Sequence, residues 1–287
     1  MKKKNILFPI FALCLTLGAC DEVDENDRQI PVEDGEIEFG SIRKVVLMEE
    51  FTGQACMNCP QGAAASQSIV EFSEHHMIPV NIHYGMYAIP TFGFVTESGT
   101  AYGELAAPDF FPACRMDRNT DVNSNTETWM SMYMGLAFQN PPIDVEVSSD
   151  YSNGEARITT TLTALENIDQ PLSLQLWLLE SGIRAMQLDG STYIMDYEHN
   201  HVFRAAINGT WGQPVEETLG QNEALTIENT YTLADLPDLQ GKTEKESRTE
   251  GEYGEVWVPD SCNVVAFVYN TETRAILQAA ETTLKAK

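Results

Sequence analysis

The sequence predicts a fold in two parts, an α/β region followed by an all-β region. Residues 44–51 are apolar and β-branched in their first half, as in a buried strand, and lead through a Cys-x-x-C pair into a helical pattern. The run NPP at 140–142 ends a later helix and marks the predicted boundary between domains at 41–140 and 141–287. After Pro142 apolar residues alternate with polar ones, and this period of two is typical of half-buried antiparallel strands.

The first 19 residues have the features of an export signal. Lys2 to Lys4 form a basic start, and a short apolar stretch runs from Ile6 to Leu17. The run LGAC at 17–20 resembles a bacterial lipobox, in which Cys20 carries the lipid and becomes the new N-terminus. We therefore predict a signal peptide at 1–19 and a lipid anchor on Cys20 that holds the protein to the outer membrane. The alternative is an ordinary signal peptide with a chance cysteine.

Residues 20–40 form the predicted tether between the anchor and the folded body. The run DEVDEND at 21–27 is acidic and poor in apolar residues, which is typical of a flexible segment. It resembles the acidic signal that sends lipoproteins to the cell surface in Bacteroidota-type bacteria. In enteric bacteria an Asp directly after the lipidated cysteine would instead indicate inner-membrane retention. Because the whole run is acidic, the sequence favours the cell surface, with the periplasmic face as the alternative.

The charge of the chain excludes one large class of partners. The full sequence has 17 basic and 43 acidic residues. Removal of residues 1–19 takes away three lysines, so 14 basic residues remain against 43 acidic ones and the net charge becomes −29. Such a surface repels phosphate backbones, and we expect no nucleic-acid partner. No phosphate loop or catalytic triad stands out, and no cofactor is expected.

Four cysteines remain in the folded body, namely Cys56, Cys59, Cys114 and Cys262. Their spacing favours a Cys56–Cys59 disulfide, which an oxidising envelope allows. The other two form either a long-range bridge or two buried thiols, and their strand-like surroundings favour thiols. No second Cys-x-x-C or paired histidine supplies further zinc ligands. The sequence His199-Asn200-His201 lacks a convincing third ligand, so we predict a hydrogen-bonding role there and no metal site.

The α/β region contains a predicted β-α-β unit. A strand at 44–51, a helix to about residue 76 and a strand at 77–84 should place the two strands parallel. Residues 85–108 read as a long loop with one short helix near 102–106. A second helix is predicted at 126–139. Aromatic residues are frequent in and around the loop and make it a candidate recognition surface: Tyr84, Tyr87, Phe92, Phe94 and Tyr102.

The Cys56/Cys59 pair lies where a strand leads into a helix N-terminus, a position that stabilises a thiolate. In thioredoxin-like folds a cis-proline at the start of a later strand faces such a pair and exposes backbone groups to an extended substrate. Pro112, in a strand predicted at 110–116, has the corresponding place, although sequence does not reveal its isomer. Ala55 departs from the pattern, because active thioredoxins usually have Trp there. The disulfide is therefore either structural or competent for exchange.

Two acidic residues, Glu49 and Glu50, precede the pair in the first strand. A buried acid beneath a Cys-x-x-C pair is able to relay protons. Since neighbouring residues of a strand face opposite sides of the sheet, we expect at least one of the two to point outwards.

The all-β region is predicted to contain seven strands. Turn signals separate them, and this arrangement is typical of an immunoglobulin-like β-sandwich. The predicted strands lie at 143–147, 158–162, 172–178, 201–207, 224–231, 262–269 and 275–283.

Several of these stretches together resemble a known family. The lipobox, the acidic tether, VLMEEFTGQACMNCPQG at 46–62 and HNHVFRAAINGTWGQPV at 199–215 are similar to the twenty-eight-kilodalton outer-membrane protein family of Bacteroidota lipoproteins. The resemblance covers residues 45–278. It implies a thioredoxin-like domain followed by an immunoglobulin-like β domain and anchoring in the outer membrane. It implies no settled activity.

Two functional hypotheses follow. In the first, the chain is a non-catalytic surface lipoprotein that captures peptide or glycan, or assists an importer of the SusC/SusD type. In the second, it is an envelope thiol–disulfide oxidoreductase, with Cys56 as the attacking thiolate, Cys59 as the resolving thiol and Pro112 as the substrate-docking residue.

Overall fold

The computed structural model describes residues 42–90, 94–233 and 261–286. The predicted signal peptide, the predicted lipidation site Cys20, the predicted tether and the loop residue Phe92 lie outside these ranges. Among the described residues, no helix is both long and apolar enough to cross a membrane.

The first part of the chain forms the predicted β-α-β unit. Strand β1 (Val46–Thr52) leads into helix α1 (Cys59–Phe72), and β2 (Met77–His83) returns parallel to β1. Helix α2 (Glu97–Ala106) is longer than predicted, because Thr96 caps it by accepting a hydrogen bond from the Gly99 amide at 3.0 Å. Strand β3 (Ala113–Met116) pairs antiparallel with β1, and helix α3 (Trp129–Ala137) follows.

The remaining strands are β4 (Ile143–Ser152), β5 (Glu155–Ala164), β6 (Leu172–Glu180), β7 (Ile183–Asp189), β8 (Thr192–His199), β9 (Val202–Ala206), β10 (Gln213–Val215), β11 (Ala224–Thr232), β12 (Cys262–Asn270), β13 (Ile276–Thr283) and β14 (Lys285–Ala286). They join three sheets. A large sheet has the order β13-β12-β6-β9-β2-β1-β3, with β10 also paired to β6. A second has the order β11-β5-β4-β14, and β7 and β8 form a separate hairpin.

The large sheet contains strands from both sides of Pro142. Strand β9 bridges the halves, since it pairs with β6 along its length and with β2 at Asn81–Val202. The far ends of the sheet also approach each other. Gln278 of β13 accepts a hydrogen bond from the Val45 amide at 2.9 Å, and Asp117 beyond β3 accepts one from the Ile276 amide at 2.7 Å. The fold is thus mixed α/β and mostly β. The domain boundary drawn at residue 140 stays a prediction.

The three larger cores of the described residues follow from these layers, and a smaller cluster of Phe94, Ile183, Ala185 and Val202 lies under the hairpin β7–β8. Helices α1 and α3 cover one face of β1 and β2, with Trp129 fully buried between them and the sheet. The other face packs with α2 and with the inner faces of β6 and β12, around Trp177 and Phe267. The opposite face of β6 and β12 packs against the second sheet, where Leu176 and Leu162 are fully buried. The alternating residues after Pro142 supply this last core, as their period of two predicts.

Other sequence-based expectations also differ from the structure: the described part of the chain after Pro142 has eleven strands where seven were predicted, because several are short or mostly exposed. The strand predicted at 110–116 begins only at Ala113, after the proline, because Pro112 has no amide hydrogen to give to the ladder. Both Glu49 and Glu50 are buried, so the expectation that one points outwards is wrong: the sheet has a packed core on each face. The hairpin β7–β8 was not predicted, since most of its outer strand is exposed and lacks a clear alternation.

Candidate functional site

The loop between β1 and α1 holds the two cysteines and is fixed by close packing. Gly53 begins it, and a Cβ added at this position would lie 2.4 Å from the Tyr87 carbonyl carbon, so only glycine fits. The Ala55 amide donates to the Tyr87 carbonyl oxygen at 2.9 Å. Helix α1 then starts at Cys59, with Pro60 in its first turn, where the missing amide hydrogen costs nothing.

Cys56 and Cys59 form a disulfide across the start of α1, with their Cα atoms 5.4 Å apart. Both residues are buried, with only 3% of Cys56 and 2% of Cys59 exposed. Cys114 and Cys262 are buried thiols, as their strand-like surroundings favoured. Burial raises the pKa of the Cys114 thiol, and the nearby Glu50 carboxyl adds to this effect. The Cys114 thiol therefore stays protonated and unreactive.

The hairpin β7–β8 lies over the cysteine loop. The side-chain amide of Gln187 donates to the carbonyl oxygens of Gly53 and Cys56, at 3.3 and 3.1 Å. Backbone bonds continue the contact, from the Leu188 amide to the Gln54 carbonyl oxygen and from the Gly190 amide to the Met57 carbonyl oxygen, at 2.8 and 2.9 Å. The hairpin is therefore fastened to the backbone of the loop that carries the disulfide.

Pro112 lies against the first turns of α1. The Phe111–Pro112 peptide bond is cis. A Cβ added to Gly62 would lie 2.8 Å from the Pro112 Cβ and 2.5 Å from Glu50 Oε1, so the helix, the proline and the carboxyl meet at this glycine. The structure therefore brings Pro112 to the helix that carries the cysteines. Whether it docks a substrate there stays a prediction.

Glu50 is fully buried on the α1 face of β1. Desolvation raises the pKa of its carboxyl to about 8, and a hydrogen bond with Ser66 opposes this effect only in part. At neutral pH the group is a protonated acid and a hydrogen-bond donor. Its Oε2 atom has no hydrogen-bond partner among the described residues.

Glu49, the preceding residue, faces the other side of β1 and is ionised. Burial on its own would raise its pKa, but the charges of Arg118 and Arg115 and their hydrogen bonds outweigh burial, so the pKa is lowered. Arg115 Nε lies 2.5 Å from Glu49 Oε2, and Arg118 Nη2 lies 2.8 Å from Oε1. Arg118 also lies over the rings of Trp177 and Phe267, within 5.6 Å of their centroids.

A cleft of about 330 Å³ opens beside Cys59. Its walls come from α1, from the edge of β2 and from the end of β8, and Glu50, Asn81, His83 and His199 are among its lining residues. No motif in the sequence links these four residues. The one available signal was the unexplained polar pair His199 and His201, which the hairpin brings to the cleft.

Two histidines of the cleft, His83 and His199, are held neutral by burial. Burial lowers the pKa of His199 to about 4, against hydrogen bonds with the backbone of Met186 and Ala185. Burial also lowers the pKa of His83 far below its usual value, and the neighbouring His199 and Arg204 lower it further. The two ring centroids are 5.6 Å apart. Across the described ranges, no three His, Cys, Asp or Glu side chains are grouped so as to hold a metal ion.

Comparison with known proteins adds a family and a fold. The family model described as "Outer membrane protein Omp28" matches residues 108–287. No curated protein sequence matches the chain.

Solved structures supply two further likenesses. HBP35 of Porphyromonas gingivalis is 18% identical over 86% of this chain and 78% of its own length, with a TM-score of 0.63. A domain of the outer membrane lipoprotein Omp28 from the same species is 20% identical over 51% of this chain and 98% of its own, with a TM-score of 0.33. Only the first likeness is strong enough to show a shared fold.

Proposed function

The chain belongs to the Omp28 family of outer membrane proteins, as the sequence motifs predicted, and we propose that it acts there as a binding or accessory protein. In this proposal the Cys56–Cys59 disulfide is structural. The observation that carries the proposal is the burial of both cysteines, in a loop to which Gln187 of the hairpin β7–β8 is bound by two hydrogen bonds. A working exchange enzyme needs one accessible sulfur, because a thiolate must attack it directly.

The proposed location is the cell surface, with a lipid on Cys20 as the anchor. The lipobox at 17–20 and the acidic run at 21–27 support this assignment. A peptide or glycan, or an importer of the SusC/SusD type, is the proposed partner. Protease treatment of intact cells tests the location, since complete protection of the protein would place it on the periplasmic face.

We propose the finer fold assignment on two observations. The order β1-α1-β2, the proline before β3 and the helix α3 support a thioredoxin-like region at 41–140. Two sheets pack face to face, one with β4, β5 and β11 and the other with β6 and β12. This packing supports an immunoglobulin-like sandwich at 141–287.

The reactivity of the disulfide tests the structural role. Soluble protein that starts at Asp21 is equilibrated with thiol buffers, and its reduction potential and its rate of reduction by dithiothreitol are measured. We expect a potential below about −300 mV, as for structural disulfides of exported proteins. Gln187→Ala should accelerate reduction, because it removes the side chain that holds the hairpin to the loop. Arg184→Ala, a change on the exposed face of the same hairpin, is the matched control and should leave the rate unchanged.

The second candidate is the envelope oxidoreductase. The position of Pro112 against α1, together with a protonated Glu50 next to Gly62, favours it. A potential between about −270 and −120 mV, the range of working oxidoreductases, would make it the better assignment. A Cys59→Ser variant would then retain its envelope substrates as mixed disulfides through Cys56, and mass spectrometry would identify them.

A further inference from the structure

A lysine just before β1 and an aspartate just after β3 meet in a buried contact that the proposed function does not use. Lys44 Nζ lies 2.9 Å from Asp117 Oδ2, and only 4% and 2% of the two side chains are exposed. We propose that these side chains react after folding to form an amide between Lys44 Nζ and Asp117 Cγ, an intramolecular isopeptide bond. The bond would close a covalent loop that contains β1, α1, β2, α2 and β3.

The contact brings the reacting atoms together in a site that excludes water. Because a carbon–oxygen bond of this kind is about 1.2 Å long, Lys44 Nζ is at most about 4.1 Å from Asp117 Cγ. Near-attack distances are about 3–3.5 Å, so a small movement of the flexible lysine side chain completes the approach. Such positioning corresponds to an effective concentration of about 10⁵–10⁸ M, which favours the amide over its hydrolysis.

The pair supplies every atom that the condensation needs. Burial disfavours the charged forms of both groups, so a proton passes from the ammonium to the carboxylate and leaves an amine beside a carboxylic acid. Burial raises the pKa of the Asp117 carboxyl against the charge of Lys44, which is the direction that this transfer requires. The amine lone pair attacks Cγ, so the N–C bond forms and the Cγ–Oδ2 bond breaks. Oδ2 leaves as water with two of the three ammonium hydrogens, and no oxidant, cofactor or outside proton is needed.

The backbone around the pair already matches the hydrogen bonds of the product. Asp117 Oδ1 accepts a hydrogen bond from the Leu47 amide at 2.9 Å and becomes the oxygen of the new amide. Lys44 Nζ donates to the Leu277 carbonyl oxygen at 2.8 Å, which then accepts from the new N–H, and only the longer bond to Ile276 at 3.4 Å is lost. Oδ2 has its charge contact with Lys44 but no hydrogen bond within the described residues. The reaction therefore removes the oxygen that the fold leaves least satisfied.

The other buried ion cluster of the same strand lacks these properties. Glu49 accepts hydrogen bonds from Arg115 and Arg118 on both of its oxygens, and its pKa is lowered. Guanidinium groups keep their proton in proteins, so they are not nucleophiles, whereas a buried lysine amine loses its proton readily. Burial of an ion pair is thus not sufficient for the reaction. The amine of Lys44 and the incompletely bonded carboxyl of Asp117 distinguish this pair.

The mass of the protein tests the proposal. Soluble protein that starts at Asp21 is purified, reduced, unfolded and weighed intact, and the bond should lower its mass by that of one water molecule. Digestion with trypsin and Glu-C should release residues 44–49 joined to residues 116–118. Lys44→Arg keeps the positive charge but cannot form the amide, and should have the full mass. Lys285→Arg changes an exposed lysine and is the matched control, which should lose water as the wild type does.

The proposal is overturned if folded wild-type protein keeps the full mass of its sequence after prolonged incubation at pH 7. It is also overturned if the missing water maps to an imide at an Asp-Gly sequence, 34–35 or 189–190, or if Lys44→Arg loses water as the wild type does. The first two results come from the wild type alone, so they stand even where a variant does not fold. The binding or accessory role does not depend on the outcome, because it rests on the disulfide.

Discussion

Glu49 and Glu50 are neighbours in one strand and are equally buried, but one is ionised and the other is protonated. Glu49 faces Arg115 and Arg118 and is held ionised, whereas Glu50 faces α1 and the disulfide and is held protonated. The strand places them on opposite faces of the sheet, so their surroundings differ completely. On one face the carboxylate completes a structural ion cluster, and on the other the acid keeps an unpaired oxygen beside an open cleft. Burial alone therefore does not determine the role of an acidic residue; its partners do.

The largest effect is expected from removal of the Glu49 charge. Glu49→Gln leaves two buried guanidinium groups without their counter-ion, and we expect the free energy of unfolding to fall by about 3–5 kcal/mol. Chemical denaturation at pH 7 measures it. Since the lowered pKa of Glu49 stabilises the fold only above about pH 4.5, the difference should shrink as the pH falls below that value. A constant difference down to pH 3 would contradict the ion-cluster role.

Glu50→Gln should have the opposite sign. The folded protein keeps the Glu50 proton up to about pH 8, whereas the unfolded chain releases it near pH 4.5. The wild type therefore loses stability as the pH rises through this window and levels off above it, whereas Gln has no proton to lose. We expect the variant to be more stable at pH 8 by about 4 kcal/mol, with little difference at pH 4.5. Equal stability at both pH values would show that Glu50 is ionised in the fold.

Removal of the disulfide should cost less than loss of the Glu49 charge. Replacement of both Cys56 and Cys59 by Ser releases a four-residue loop, and the chain-entropy relation gives a loss of about 2 kcal/mol. Thermal unfolding with and without dithiothreitol measures it. Reductant should lower the melting temperature of the wild type but not that of the double variant. An unchanged melting temperature in both proteins would remove the structural role of the disulfide.

The smallest effect is expected from an exposed ion pair on the covering hairpin. Arg184 contacts Glu198 at 3.0 Å, and about half of each side chain is exposed. Arg184→Ala should change the free energy of unfolding by less than about 0.5 kcal/mol, because water screens such pairs. The same denaturation series measures it. A loss comparable to that of Glu49→Gln would mean that the hairpin, rather than the ion cluster, supports this region.

The parts of the fold that depend on local sequence pattern were predicted correctly. The strand before Cys56, the helix after it, the parallel return of β2 and the alternating strands after Pro142 all follow from periodicity and turn residues. The burial of both Glu49 and Glu50 does not, because it requires knowing that both faces of β1 are packed. The hairpin β7–β8 was missed because its outer strand is mostly exposed and shows no clear alternation. Its contacts, from residue 187 to residues 53–56, join segments that no short window contains.

The cleft could not be predicted from the sequence. Its lining residues include Glu50, Asn81 and His199, which are separated by 31 and 118 positions in the chain. Each residue looks ordinary in its own segment. Only the meeting of β2 with the end of β8 makes them a set.

The two ends of the large sheet approach each other, and this affects how the protein folds during export. The Val45 amide at the start of β1 bonds to the side chain of Gln278, which lies 233 positions later. A chain with such pairings has a high contact order and is expected to fold slowly, because distant segments must meet before their contacts are formed. During export, the contacts of β1 with β13 therefore form only after almost the entire chain has crossed the inner membrane. Until then the apolar residues that these contacts cover stay exposed.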